Sequence, residues 1–379
     1  MATSRTTMRD RAAHLAHLLG AKTKVRLLNR IGLALVVSGL TLGGSVARAS
    51  EIGQQIADQI DVGSYQYFLD ELLYAHDGDN RDIFGAEHDP CRDNIFATFQ
   101  GFGLDVELHE FELYGPRYNV VATQLGRVYP DAQYVIGAHF DSAGNPGADD
   151  DASGVAGMLE AARVLAQYET EYTIKFIAFD AEEYGMIGSQ AYVDDHYMDD
   201  IRGMIQMEMM AFDTGGWRAA MYGRSSSGPL KDALAAAIAE YGNDLTVYVF
   251  GEFDASDHAP FEWAGFQACA ISEYDWIMNP CYHQQCDSVD TPDYINYEFA
   301  TDFARSVAGF LADHAVVILP EPCVGDLDGD GKTDGTDLGI LLADWGCTSN
   351  CVGDLDGDDD TDQGDLGILL ADWGCGGNP

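Results

Sequence analysis

Five short polar segments, each at the predicted end of a strand, constrain this chain more than any other feature. In chain order they contain His139 with Asp141, Asp150, the pair Glu182 and Glu183, Glu208, and His283. Two imidazoles with several carboxylates are the ligand inventory of two neighbouring divalent metal ions, with one carboxylate left over as a base. The fold must therefore bring together residues that lie far apart in the sequence.

Strand and helix patterns alternate from residue 118 onward. The predicted strands are 119–125, 134–138, 173–179, 203–207, 245–250 and 267–271. The predicted helices are 153–167, 188–195, 229–241 and 294–312, and residues 50 to about 115 are also predicted to be helical. This order predicts an α/β domain with a mainly parallel mixed sheet sandwiched by helices. Ligands of such sheets bind beyond the carboxyl ends of the strands, where the polar segments fall.

The first 49 residues have the composition of a secretory signal. A basic stretch precedes an apolar run over residues 31–46, and Ala47-Arg48-Ala49 is a typical cleavage site. The prediction is an exported protein, extracellular or periplasmic, that begins at Ser50. The alternative is a transmembrane helix, but the run is shorter than the roughly 20 residues that a span needs. No later stretch is long enough, so stable membrane insertion is not expected.

The mature chain is strongly acidic. The leader carries eight Lys or Arg and one Asp, so its removal takes the formal net charge from −43 to −50. Nucleic acid and anionic membranes are therefore excluded as partners. A negative charge of this size is tolerable if the protein binds cations.

The eight cysteines favour disulfides in an exported protein. Cys323 and Cys347 lie 24 positions apart, as do Cys351 and Cys375, and Cys281 and Cys286 bracket His283. The exact pairing stays open, and so does the state of the other two cysteines, Cys91 and Cys269.

Local sequence suggests roles for several of the polar residues. Asp150 lies in a tight turn at a predicted helix start, which favours it as the carboxylate that bridges two metals. Asp141 can accept the second imidazole N–H of His139. Adjacent side chains point in different directions, so one of Glu182 and Glu183 can bind metal while the other faces the substrate water.

The motifs resemble those of the family 28 metallopeptidases, the secreted two-zinc aminopeptidases of the bacterial leucyl-aminopeptidase type. They are His-Phe-Asp-Ser, Gly-Ala-Asp-Asp-Asp-Ala-Ser-Gly, Ala-Glu-Glu-Tyr-Gly-Met-Ile-Gly-Ser, Met-Glu-Met, Ser-Asp-His and Tyr-His, within residues 50–315. The resemblance implies the zinc exopeptidase fold. It also implies one zinc on His139 and Glu208, a second on Glu183 and His283, Asp150 as the bridge, Glu182 as the general base and Asp141 as the partner of His139.

Two positions depart from this family pattern. The family often has Asp where Glu208 stands, and the longer Glu keeps the same donor type. Some members place a Tyr three residues before the serine of Ser-Asp-His, where this chain has Phe253, which has no donor. Nearby aromatic residues either line a hydrophobic specificity pocket or pack in the core. They are Phe261, Trp263, Tyr274 and Trp276.

The resemblance implies removal of N-terminal residues from peptides with a free amino terminus. The alternatives within enzymes are a related single-zinc glutaminyl cyclase or a carboxypeptidase. The alternative of another class is a non-catalytic cohesin-binding or scaffold protein. The predicted organisation is a signal peptide (1–49), a catalytic domain (50–316), a Pro-rich linker (317–322) and a tandem repeat (323–379).

The repeat has a period of 28 residues and contains two EF-hand-like loops. The first offers Asp326, Asp328, Asp330, Lys332 through its carbonyl, Asp334 and Asp337. The second offers Asp354, Asp356, Asp358, Asp360, Asp362 and Asp365. These positions match those that bind calcium in EF-hands, so two Ca²⁺ ions are expected in a small all-α module. We expect weaker binding by the second loop, because Asp359 stands where the first has Gly331.

This repeat resembles a dockerin type I module. The resemblance implies a cohesin-like protein partner. The alternative is a disordered acidic tail, which the apolar helix patterns after each loop oppose.

Overall fold

A computed structural model describes residues 51–319 and 323–376. The predicted signal peptide and residues 320–322 of the predicted linker lie outside the described residues. The chain separates into two compact units that divide between Val317 and Ile318. In the part of the chain that is described, no helix is both long and apolar enough to cross a membrane.

The first unit alternates strands and helices. Its described helices are α1 (Val62–Tyr67), α2 (His88–Gly101), α3 (Ser153–Leu165), α4 (Ile187–His196), α5 (Gly228–Tyr241), α6 (His258–Ala264) and α7 (Tyr297–His314). The strands of its large sheet are β1 (Asp105–Glu112), β2 (Pro116–Gln124), β3 (Tyr129–His139), β5 (Tyr172–Phe179), β6 (Asp200–Glu208), β7 (Arg218–Tyr222), β8 (Thr246–Val249) and β9 (Ala268–Glu273). The short strands β4 (Glu169–Thr170) and β10 (Val317–Ile318) lie outside that sheet.

The sheet has the strand order β1-β2-β5-β3-β6-β9-β7-β8. Its centre is parallel, because β3 pairs in parallel with β5 and β6, and β6 pairs in parallel with β9. Antiparallel pairs join β1 to β2, β2 to β5 and β7 to β9. The predicted α/β class with a mainly parallel mixed sheet is confirmed.

Helices cover the sheet because their apolar residues have no other place to be buried. Nearly every residue of α3 is buried, and α3 packs on β3, β6 and α7. The aromatic stripe of α7 is also buried, at Phe299, Phe303 and Phe310. Helices α4 and α6 pack together, α4 against β2 and α6 against β9.

The sequence patterns are wrong at one strand and predict none of four short elements, which are β4, β7, β10 and α6. Residues 105–112 were predicted to be helical but form β1, an edge strand with Phe111 as its one buried residue. An edge strand packs so little of its surface that its two-residue period is weak.

The second unit contains two loop–helix repeats. Their helices are α8 (Gly335–Ala343) and α9 (Gln363–Ala371), which pack against each other. Leu341 and Leu369, equivalent positions of the two helices, are fully buried. Asp334 and Asp362 cap the two helices in the same way.

The disulfides differ from what the sequence spacings suggest. Cys281 pairs with Cys286 as expected, but Cys323 pairs with Cys375 and Cys347 with Cys351. The cysteines 24 positions apart are therefore not joined, because the repeats bring the two ends of the unit together. Cys91 and Cys269 are buried thiols.

Replacement of Gly309 tests the packing of α7 on α5. A Cβ atom at Gly309 would lie 2.1 Å from Tyr241 Cδ2. We expect Gly309→Ala to destabilise the first unit by about 1–3 kcal/mol through overpacking, although alanine favours a helix by about 1 kcal/mol. Urea unfolding of the mature chain measures the difference.

Gly101→Ala is the matched control, because a Cβ at this helical glycine meets nothing within 4 Å. We expect Gly101→Ala to leave stability unchanged or to raise it. Equal stability of the two variants would contradict the packing argument.

Candidate metal centre

The site lies where β3, β5 and β6 end. His139 is the last residue of β3 and Glu208 the last of β6, while Glu182 and Glu183 follow shortly after β5 ends at Phe179. Because these strands are parallel, their carboxyl ends meet at one edge of the sheet. The structure therefore brings these segments together as the sequence predicts.

Asp150 reaches the same edge from the turn between β3 and α3. The turn starts at Gly147 in the left-handed conformation (φ 62°), and a Cβ there would lie 2.5 Å from the carbonyl oxygen of Asp150. Asp150 itself leaves the helical conformation (φ −107°, ψ 92°). A glycine is needed at the start of the turn so that the chain can double back and direct the aspartate inward.

Two imidazoles face opposite oxygens of the Asp150 carboxylate. His139 Nε2 lies 3.2 Å from Oδ1, and His283 Nε2 lies 3.0 Å from Oδ2. Each imidazole has one further carboxylate, with Glu208 Oε1 3.6 Å from His139 Nε2 and Glu183 Oε2 3.2 Å from His283 Nε2. The result is two three-residue clusters that share Asp150.

Asp141 holds the turn that carries both glutamates. Its Oδ1 accepts from the backbone N–H of Glu182 at 3.0 Å, and its Oδ2 from that of Glu183 at 3.2 Å. His139 Nδ1 lies 3.1 Å from the backbone oxygen of Asp141 and 3.4 Å from its Oδ1. Asp141 thus fixes the His139 ring mainly through its backbone and the Glu182–Glu183 turn through its side chain.

The carboxylates of the site differ in acidity. Burial raises the pKa of Glu182 well above its ordinary value, against the lowering effect of His139, and the negative charges of Asp257 and Glu183 act in the same direction as burial. Although burial opposes ionisation, hydrogen bonds to the two histidines hold the pKa of Asp150 below its usual range. Asp150 is therefore an ionised ligand, whereas Glu182 can hold a proton.

Asp151 links the strand ends to α3, a role that the sequence patterns did not assign. Its Oδ1 accepts from Met209 N at 2.9 Å and Gly154 N at 3.1 Å, and its Oδ2 accepts from His139 N at 3.1 Å. One buried carboxylate thus positions the backbone of two ligand segments. The three consecutive aspartates were the available signal.

Asp287 is a second positioning residue that the sequence patterns missed. It accepts from the backbone N–H groups of Asp149 at 2.7 Å and Asp150 at 3.2 Å, and from Tyr294 Oη at 3.1 Å. Asp287 follows the disulfide loop that carries His283, so it ties that loop to the Asp150 turn. Nothing in the local sequence marks the contact with the Asp150 turn, because Asp149 and Asp150 lie more than a hundred residues away.

Arg81 stabilises the Asp150 turn through hydrogen bonds to backbone oxygens. This fully buried guanidinium donates to the backbone oxygens of Phe140 at 2.8 Å, Gly147 at 2.9 Å and Tyr74 at 3.2 Å, and also to that of Pro146. These bonds hold the segment between His139 and the turn. No local sequence pattern marks this arginine.

His283 is presented by the loop that the Cys281–Cys286 disulfide closes. Its backbone is left-handed (φ 57°), and its ring stacks on Tyr282 at 3.9 Å between centroids. The loop and the stacked ring fix the direction of the imidazole, although the side chain is 31% exposed.

A small cleft opens beside Glu208. Aromatic and small side chains line it, chiefly Tyr222, Phe253, Trp276, Tyr282, Ala255 and Ser272. Ser256 Oγ donates to Glu208 Oε2 at 2.5 Å and so directs this ligand from the cleft wall. The lining of the cleft is mainly apolar, and the cleft lies next to the metal cluster.

Of the four aromatic residues predicted either to line a specificity pocket or to pack in the core, some do each. Trp276 lines the cleft, whereas Phe261 is fully buried in the core and Trp263 is about half exposed. Tyr274 packs against Tyr248. His258 is also buried, and burial lowers its pKa to about 4, so it is a neutral interior residue.

The two acidic loops of the second unit are folded alike. In the first, Asp326 Oδ1 accepts from Gly329 N at 2.7 Å and Asp337 Oδ1 from Leu327 N at 2.8 Å. In the second, Asp354 and Asp365 make the equivalent bonds, at 2.7 and 2.6 Å. Oxygens of Asp326, Asp328 and Asp330 lie close enough together to hold one cation.

Asp359 adopts the left-handed conformation (φ 71°) that Gly331 adopts in the first loop (φ 84°). The two loops therefore keep the same turn despite the different residue.

Comparison with known proteins gives relatives named as aminopeptidases. Leucine aminopeptidase 1 of Coccidioides posadasii (strain C735) is 30% identical over 239 residues, which cover 56% of this chain and 60% of that protein. Aminopeptidase YwaD of Bacillus subtilis (strain 168) is 33% identical over 174 residues, covering 43% of this chain and 37% of that protein. The chain thus spans less than two thirds of the length of these relatives.

Solved structures share the fold. LapB from Legionella pneumophila has a TM-score of 0.61 at 22% identity, over 73% of this chain and 81% of that one. Porphyromonas gingivalis glutaminyl cyclase has a TM-score of 0.58 at 23% identity, over 68% and 99%.

The model of peptidase family M28 matches residues 119–310, which include every residue of the two metal clusters. The same interval contains the strand ends that carry the clusters and the loop that presents His283. The chain belongs to peptidase family M28.

Proposed function

We propose that this protein is an exported two-zinc aminopeptidase that removes N-terminal residues from peptides. The observation that carries the proposal is the carboxylate of Asp150, whose two oxygens face His139 and His283 at 3.2 and 3.0 Å. A carboxylate shared in this way is the bridge that a pair of metal ions needs. The sequence relatives named as aminopeptidases support the same class.

The donor set fits zinc. Each cluster offers one imidazole nitrogen and carboxylate oxygens, which are ligands that zinc prefers. Glu183 Oε1 is buried without a hydrogen-bond partner. Among the described residues, the ion pairs of these carboxylates are with the two histidines and not with Lys or Arg. A buried acidic group of this kind needs cations to offset its charge.

In the proposed mechanism, His139 and Glu208 would hold one zinc ion, Glu183 and His283 would hold a second, and Asp150 would contribute one carboxylate oxygen to each. Bound zinc would polarise the peptide carbonyl and make a bound water acidic. Glu182 accepts the proton of the attacking water and returns it to the leaving amine. Its raised pKa suits it to hold that proton between the two steps.

The surroundings favour a substrate with a free amino terminus. The carboxylates of the centre attract an ammonium group and repel a C-terminal carboxylate, which disfavours the carboxypeptidase alternative. The cleft beside Glu208 takes the first side chain, and its aromatic lining favours an apolar one. Phe253 lies in this lining without a donor, so polarisation of the carbonyl depends on other groups.

A glutaminyl cyclase is the second candidate, because such an enzyme shares the fold. The two histidine–glutamate pairs that face opposite oxygens of Asp150 favour two-metal hydrolysis over single-zinc cyclisation. An assay with an N-terminal glutaminyl peptide separates the two functions.

For the second unit, the proposed role is that of a dockerin-like module. It would bind two calcium ions and dock on a cohesin-like partner. Its support is the repetition of the same aspartate-to-backbone bonds in both loops, which hold the carboxylates in place. Export through the N-terminal leader would place both loops where calcium is abundant.

Glu182→Gln tests the catalytic role. The amide cannot accept the proton of the water, so we expect kcat on leucyl-p-nitroanilide to fall by about 10²–10⁴-fold while two zinc ions per chain remain by metal analysis. The surface variant Glu169→Gln, which loses an exposed pair with Arg127, is the control and should keep full activity. Full activity in Glu182→Gln would contradict the mechanism.

Zinc affinity should rise with pH. Burial lowers the pKa of His283, but hydrogen bonds to Asp150 and Glu183 outweigh it and raise the pKa to about 10. Burial likewise opposes protonation of His139, yet Glu208 and its other acidic neighbours raise that pKa well above its ordinary value. In the metal-free protein both rings therefore carry protons at neutral pH, and zinc must displace them.

We expect the apparent affinity to fall about ten-fold per pH unit for each proton displaced as the pH is lowered from about 8 to 6. Competition of the metal-free protein with a zinc-binding dye measures the affinity at each pH. An affinity that does not change with pH would show that the imidazoles are not the ligands.

Asp326→Asn tests the calcium loops. Loss of this carboxylate removes a ligand and the bonds that shape the first loop, so we expect calorimetry of the mature chain to count one calcium ion instead of two. Lys332→Ala is the control, because position 7 contributes its backbone carbonyl, and it should still bind two. Two ions bound to Asp326→Asn would refute the assignment of this loop.

A further inference from the structure

Three aromatic rings form an exposed group beside the metal clusters, here named the aromatic platform: Phe84, Tyr114 and Tyr184. The ring of Phe84 lies 5.8 Å from that of Tyr114 and 6.4 Å from that of Tyr184 between centroids. Phe84 is 67% exposed and Tyr114 is 75% exposed. Exposed aromatic side chains that gather in this way mark a binding surface more often than scattered ones do.

The platform is attached directly to the catalytic turn. Tyr184 follows Glu183 in the chain, and its hydroxyl donates to Asp82 Oδ2 at 2.9 Å. Asp82 and Phe84 belong to the segment that begins at the buried Arg81, which holds the backbone of the Asp150 turn. Any molecule on the platform therefore lies next to the metal centre.

Side chains of neighbouring segments also hold the platform in place. The guanidinium carbon of Arg117 lies 5.5 Å from the centroid of the Phe84 ring. Under the rings, Ile83 and Phe111 are buried in a small apolar cluster that Leu113 joins. A surface that is already formed loses little entropy when a ligand binds.

The platform and the cleft adjoin different residues of the metal centre. The cleft borders Glu208, which accompanies His139, whereas the platform follows Glu183, which accompanies His283. The two histidines face opposite oxygens of Asp150. A peptide with its first side chain in the cleft and its next residues on the platform would span the two clusters that share Asp150.

The dimensions suit a short stretch of peptide. Extended chain advances about 3.3 Å per residue, so ring separations of 5.8 and 6.4 Å each correspond to about two residues. An extended segment of about two residues can thus contact two neighbouring rings at once.

We propose that the aromatic platform is a subsite for the residues that follow the cleaved bond and that it selects peptides with an aromatic side chain at the second position. The inference rests on the proposed function, since it requires cleavage after the first residue. Edge-to-face or offset contact with Phe84 and Tyr184 supplies the selectivity.

Competing peptide substrates test the subsite. The zinc-loaded mature protein is assayed on Leu-Phe-Gly and Leu-Gly-Gly, and the ratio of the two kcat/KM values is compared between wild type and Phe84→Ser. We expect a ratio of about five in wild type, the factor to which one aromatic pair corresponds, and a ratio near one in Phe84→Ser. Tyr197→Ser, which removes an aromatic ring of 66% exposure at the end of α4, should keep the wild-type ratio.

A wild-type ratio near one, or an unchanged ratio in Phe84→Ser, would overturn the subsite. A loss of the ratio in Tyr197→Ser would overturn it as well, because the effect would not be local. Failure of the wild type to cleave either peptide or leucinamide would instead overturn the proposed function.

Discussion

The metal centre depends on one carboxylate that serves two imidazoles. The oxygens of Asp150 face His139 and His283, and each histidine adds a glutamate of its own. Such a concentration of acidic groups is costly to bury unless cations offset the charge. Because acidic neighbours raise the pKa of both histidines, protons would compete with any cation that these residues bind.

The precision of this arrangement comes from buried polar side chains that bond to backbone rather than to metal. Asp151 accepts from the ends of two strands, Asp287 from the Asp150 turn, and Asp141 from the Glu182–Glu183 turn. Arg81 holds the carbonyl side of the same turn. Because each bond replaces water around a buried backbone group, these residues fix irregular segments where no sheet or helix ladder can do so.

The second unit uses the same chemistry on a smaller scale. Asp326 and Asp337, with their equivalents in the second loop, accept backbone N–H groups and hold open loops in shape. In both units, then, some carboxylate oxygens would bind a cation. Neighbouring carboxylate oxygens accept hydrogen bonds from backbone N–H groups and hold the loops in shape. The acidic composition of the chain reflects both tasks.

The sequence by itself determined the α/β class, the mainly parallel character of the sheet and the group of residues at the carboxyl ends of its strands. It could do so because buried parallel strands are apolar throughout and because parallel strands end at one edge of a sheet. It failed at β1, since an edge strand buries too little surface to impose a clear period. It also suggested disulfides between cysteines of equal spacing, whereas folding of the repeat joins Cys323 to Cys375 and Cys347 to Cys351.

Only the tertiary structure decided which residues support the ligands and what surrounds them. The contacts of Asp287 and Arg81 with the Asp150 turn, the cleft beside Glu208 and the aromatic platform all join segments that are distant in the chain. Local pattern cannot predict them, because periodicity reports which face of an element is buried but not which other element covers it. Short motifs thus identify the candidate ligand residues, whereas long-range packing determines their geometry.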